Sequence, residues 1–201
     1  HADPEAGLIV VSLPPGADQA SEIERKVPHE VAHLLLYQAT GTGFYNLPTW
    51  LNEGFASTQE SNPRSDYPDL VANAIQKGTM IPLTTLCQPF PRDAAGAVLS
   101  YAEATMFVQY VKDRFGIEGL RAVVQAYAKG AGCELGTNVA PLNLTLPQLE
   151  LEWREGALAE NVFLTALREI APWLVLMGAV IVGPILVVMV GLRRPRPVTN
   201  P

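Results

Sequence analysis

The sequence predicts an α+β, mostly helical domain with a small edge β-element, followed by one C-terminal transmembrane helix. Three observations predict it. Between residues 19 and 156, apolar residues recur at helical spacing in several stretches, most of them closed by glycine. Only one early run, Gly7 to Leu13, combines β-branched apolar residues with a following turn signal. Finally, no charged residue falls between Ala171 and Leu192, which helps explain why only 17% of the 201 residues are charged.

The Gly7 to Leu13 run reads as a strand ended by Pro14-Pro15-Gly16. It suits either an ordinary core strand or an exposed edge to which an extended peptide could add. The first long helix starts around Gln19 to Glu22 and runs to about Gln38. Pro28 lies inside it and removes one hydrogen bond to the residue four back, so a kink is expected there.

Directly after that proline comes His29-Glu30-Val31-Ala32-His33. Residues four apart on a helix share a face, so His29 and His33 can hold one metal ion between their imidazoles. Glu30 lies beside that face, placed to act as a general base on a water at the metal without ligating it. A catalytic zinc with three protein ligands and one open position needs a further donor. Glu53, in Trp50-Leu51-Asn52-Glu53-Gly54-Phe55-Ala56, supplies one from a second short helix that Pro48 opens. The turn Gly41-Thr42-Gly43 lets the two helices pack together.

Beyond the polar loop Asn62 to Pro68, a helical stretch from Asp69 to Lys77 is closed by Gly78. The proline-rich segment Ile81 to Pro91 is expected to be irregular and to form a wall or lid near the cleft. Ser100 to Arg114 reads as an amphipathic helix with Gly116 as its stop, Ile117 to Lys129 as another ended by Gly130, and Leu144 to Gly156 as a third.

Taken together, His29-Glu30-x-x-His33, Asn52-Glu53-Gly54 and the later Ser100-Tyr101-Ala102-Glu103-Ala104 resemble the gluzincin metallopeptidases. That superfamily includes thermolysin and the aminopeptidase N type enzymes. The chain looks more closely like the bacterial peptidase MA-like domains, over roughly residues 7 to 155. The resemblance implies a partial thermolysin-like fold and one Zn2+ per chain held by His29, His33 and Glu53. It further implies Glu30 as general base and a peptide or protein substrate. Such sites use a donor for the developing oxyanion, for which Tyr101 is the candidate, with Tyr110 a second and Glu103 a polar neighbour. Where the family often places an acid to orient a histidine, one turn after the glutamate ligand, this chain has Ser57; Glu60 lies within reach to substitute. That departure keeps open a second reading, a catalytically inactive peptidase-like ectodomain serving as a binding or structural module.

The uncharged stretch at 171–192 is long enough to cross a hydrocarbon core of about 30 Å as a helix. Arg193, Arg194 and Arg196 follow it, whereas Glu150, Glu152, Glu155, Glu160 and Glu169 precede it. Positive residues stay on the cytoplasmic side, so a single-pass cell-membrane protein is expected, with an extracytoplasmic domain. The divisions are then a domain at 1–156, a juxtamembrane linker at 157–170, the span at 171–192 and a cytoplasmic tail at 193–201. Because the chain opens on His1 without an apolar leader, it reads as the C-terminal part of a longer precursor. In such a compartment Cys87 and Cys133 are expected to form a disulfide. Asn143-Leu144-Thr145 matches an N-glycosylation acceptor. A net charge of -6 with no basic cluster outside the membrane flank excludes nucleic acid as a partner, and no Gly-x-x-x-Gly pattern in the span favours a dimer.

Overall fold

The computed structural model describes residues 2–13, 15–16, 18–157, 170–175, 177 and 182. The chain divides into two compact units, His1–Leu158 and Ala159–Pro201. Most of the second unit, including most of the expected span at 171–192 and all of the tail, lies outside the described residues. Its described residues are helical and exposed. Among the described residues no helix is long and apolar enough to cross a membrane.

The first unit is mostly helical with one two-stranded sheet. Strands β1 (Ala2–Asp3) and β2 (Leu8–Ile9) pair antiparallel, Ala2 opposite Ile9 and Asp3 opposite Leu8. Asp3 Oδ1 closes the connecting turn by accepting the Ala6 N–H at 3.0 Å. The expected strand over Gly7 to Leu13 is therefore only two residues long. With no further strand to pair with among the described residues, Val10 to Leu13 continues outside the sheet, and Lys26 Nζ donates to the Ser12 carbonyl at 2.8 Å.

Helix α1 (Gln19–Thr40) runs through Pro28 without interruption. A short 3-10 turn, Gly41–Asn46, leads into α2 (Thr49–Ser57), with Pro48 as its N-cap. Helix α3 (Tyr67–Lys77) carries Pro68 in its first turn and ends on Gly78, whose left-handed φ of 64° suits the closing position. Helix α4 (Ala94–Ala128) begins six residues before the expected Ser100 because Asp93 caps it, accepting the Gly96 N–H at 2.8 Å. Its backbone breaks at Gly116 (φ 72°), where the sequence places a stop. Helix α5 covers residues 146–157.

The core lies where α2 crosses α4. Trp50 and Phe107 meet edge to face at 5.1 Å, flanked by Tyr127 and Trp153, and Leu51, Val108, Val111, Leu146 and Leu149 fill the remaining space. Burying each such aliphatic side chain contributes about 1.5–3 kcal/mol. The two helices approach closely at Gly54. A methyl there would lie 2.7 Å from the Ala104 carbonyl carbon and 2.9 Å from a Val108 methyl.

The Ile81 to Pro91 segment is irregular apart from one 3-10 turn at Thr85–Cys87. Buried carboxylates hold its start: Glu103 accepts the Ile81 N–H and Glu150 the Leu83 N–H, both at 3.1 Å. Burial pushes the Glu103 carboxyl up to about 7 against the pull of that N–H. Glu103 thus serves the loop. The expected disulfide is present between Cys87 and Cys133.

Two outcomes follow from this packing. Gly54→Ala should lower the unfolding free energy by about 1–3 kcal/mol in urea titration, because backbone cannot yield as a flexible side chain does. Replacing both cysteines by serine should cost about 2–4 kcal/mol in the same measurement, since the bridge spans 46 residues of sequence.

Candidate metal centre

One turn apart on α1, the imidazoles of His29 and His33 stand with ring centroids 5.0 Å apart at 77°. Glu53 faces them from α2, its carboxylate oxygens 3.4 Å from His29 Nε2 and 4.0 Å from His33 Nε2. One ligand atom from each of the three residues falls within 4.8 Å of the others, so the trio could hold a metal ion. Two imidazoles and a carboxylate are a donor set that suits zinc.

The opposite ring nitrogens are occupied. His29 Nδ1 lies 3.0 Å from Glu60 Oε1, with Ser57 Oγ at 3.5 Å, and His33 Nδ1 lies 2.9 Å from Asn52 Oδ1. An acceptor at each Nδ1 favours the tautomer that leaves Nε2 unprotonated and aimed at the shared space. Glu60 therefore supplies the charge that Ser57 lacks. Asn52 was not singled out as a partner from sequence, although its place directly before Glu53 puts it within reach of α1.

Burial disfavours the imidazolium of His29, yet hydrogen bonds to Glu53 and Glu60 outweigh it and lift His29 to about 9. Burial likewise opposes the charge on Glu53, but the hydrogen bond from His29 and the charge of both histidines hold it below the usual carboxylate range. Tyr101 is pushed upward, first by burial and then by the neighbouring Glu53, to whose carboxylate its hydroxyl hydrogen-bonds. Its ring meets Phe90 edge-on at 5.1 Å. The proline-rich segment thus backs Tyr101 as a wall.

His29, Glu30, His33, Glu53 and Tyr101 all line one cavity of about 390 Å³. A second cavity, of about 590 Å³, shares His29, Glu30 and Tyr101 with it and extends past the α1 residues Arg25 and Lys26. Tyr110 is not at this site: its hydroxyl accepts from Arg114 at 2.6 Å, and its ring stacks on Phe107. The cationic residues of the second cavity were not read from sequence, yet Arg25 and Lys26 stand one turn before His29 and Glu30.

Zinc affinity should depend on pH. His29 is raised from 6.5, so in the metal-free chain its contacts with the two glutamates contribute stability fully present below about 6.5 and lost as pH rises through about 9. Metal needs the neutral ring, so binding displaces that proton. Apparent zinc affinity should rise about tenfold per pH unit up to about 9, read by competition with a chromophoric chelator; a flat profile would contradict the assignment of His29.

The family model described as the peptidase MA superfamily matches residues 4–158 of the chain. Comparison with curated proteins and with solved structures gives no match. The matched stretch takes in both motif helices, the cavity between them and the packing helices behind. The chain belongs to the peptidase MA superfamily.

Proposed function

We propose that the chain is a zinc-dependent metallopeptidase of the gluzincin type, anchored in the cell membrane by residues 171–192 with its domain outside the cytoplasm. The observation that carries the enzymatic reading is the meeting of two imidazole nitrogens and one carboxylate oxygen within 4.8 Å, on a cavity that Glu30 and Tyr101 also line. The membrane reading rests on the uncharged stretch and the arginines after it.

His29, His33 and Glu53 would hold the ion. When bound, zinc supplies Lewis acidity toward a water and the substrate carbonyl. Glu30 accepts the proton of the attacking water on its carboxylate and returns it to the amine that departs. Tyr101 keeps its proton, so its hydroxyl can turn from Glu53 to donate to the oxygen on which negative charge develops. Asn52 and Glu60 hold the imidazoles in orientation. The charge of Glu60 on His29 favours an active site over a purely structural peptidase-like module, for which Ser57 was the ground.

Glu30→Gln should retain about one zinc per chain while lowering kcat at least 100-fold, the scale of a lost general base. Glu53→Ala should lose most of its zinc, read by elemental analysis of the full chain after dialysis. Full turnover in the Glu30→Gln variant would remove Glu30 from this role.

A further inference from the structure

The 590 Å³ cavity next to the metal ligands has two chemically different ends. Near the metal it is bounded by His29, Glu30, Glu60 and Tyr101. Val10, Val11, Ala97 and Val98 give it apolar walls. At the far end stand three cations, the partly buried Arg25 and Lys26 and the exposed Arg64. Their acid partners number two. Arg25 and Lys26 share the single carboxylate of Glu22, at 2.8 and 3.0 Å, and Arg64 pairs with Asp66 at 2.6 Å. Glu60 also lines the cavity and acts on Arg64, so the excess of positive charge is confined to Arg25 and Lys26, which have one carboxylate between them. Neither Glu22 nor Asp66 lines the cavity itself, whereas the cations do. Moreover, the bonds from Arg25 to Glu22 run through one nitrogen, Nη2, of a group with five N–H donors.

The spacing matches a peptide. Arg25 precedes His29, and Lys26 precedes Glu30, by four residues on one helix, so the cations lie about 6 Å along the axis from the reacting groups. An extended chain advances about 3.3 Å per residue, so that distance is about two residues, or one residue and an extended acidic side chain. The apolar walls accommodate the stem.

Resting on the metallopeptidase reading above, we propose that this cavity recognises a substrate carboxylate within two residues of the scissile bond. It would be carried either by an aspartate or glutamate side chain or by a free C-terminus. A guanidinium offers paired N–H donors in the geometry a carboxylate accepts. Desolvation by the valine and alanine walls strengthens the attraction and rejects the neutral amide, which leaves the cations less satisfied.

The test uses capped, C-terminally amidated hexapeptides with one glutamate moved through the four central positions. Each is compared with its glutamine counterpart, and the glutamine peptides are also made with a free C-terminus. Binding is read by fluorescence anisotropy on the full-length Glu30→Gln chain, which does not depend on turnover, and kcat/KM on the unmodified chain. We expect at least tenfold tighter binding for one carboxylate-bearing set, falling toward parity in Arg25→Gln/Lys26→Gln. A preference confined to the free C-terminus assigns the carboxylate to the chain end, and one confined to internal glutamate assigns it to the side chain. Equal binding of all three sets to the parent protein overturns the inference without any need for the double variant. If peptides are bound with the expected preference but none is cut by the unmodified chain, the metallopeptidase reading fails and the carboxylate site stands. Cleavage of acid and amide peptides at equal kcat/KM, with equal binding, leaves the peptidase reading and removes the carboxylate site.

Discussion

The site depends on how closely α2 lies on α4, and that distance is set at one residue. Gly54 presents no side chain to the Ala104 carbonyl, so the two backbones approach as near as atoms permit. Trp50 and Leu51, on the preceding turn, are fully buried by this approach. Glu53 is the neighbour of Gly54, and its direction is fixed by the same contact. A helix seated on the core through Trp50, Leu51 and Gly54 has only one azimuth, and at that azimuth Glu53 faces the histidines of α1. Close packing therefore serves as the aiming device of the cluster.

Around that geometry the polar groups divide their work. Each imidazole has one nitrogen engaged by α2 or the residues just beyond it, Asn52 for His33 and Glu60 for His29, and turns the other toward Glu53. The rings are pinned from two sides, and their rotation would break a partly buried hydrogen bond. Glu60 stands beyond the end of α2, so its carboxylate reaches His29 from a less constrained backbone than residue 57 would offer.

Much of this was legible in the sequence because it is carried by short-range periodicity. Four-residue spacing puts His29 and His33 on one face whatever the tertiary fold, and Gly78 and Gly116 end helical runs for reasons local to the backbone. Ser100 as a helix start was too late because Asp93, the actual cap, is followed by small residues that give no amphipathic signal. The strand from Gly7 to Leu13 shrank to Leu8–Ile9 because strand length depends on a partner elsewhere, which composition does not reveal. The roles of Asn52 and Glu103 depend on which elements pack together: one turns to His33, the other to the Ile81 amide. The cationic end of the larger cavity escaped for the same reason, since Arg64 joins Arg25 and Lys26 only in three dimensions.

Pro28 sits at the joint between two parts of α1, the turn carrying Arg25 and Lys26 and the turn carrying His29, Glu30 and His33. Lacking an N–H, it leaves the Glu24 carbonyl without its rung of the helical ladder. A rod with one rung removed is most compliant at that point. The course of α1 through Pro28 is nonetheless unbroken, so the turn that carries the cations and the turn that carries the histidines share one axis with one backbone hydrogen bond fewer between them.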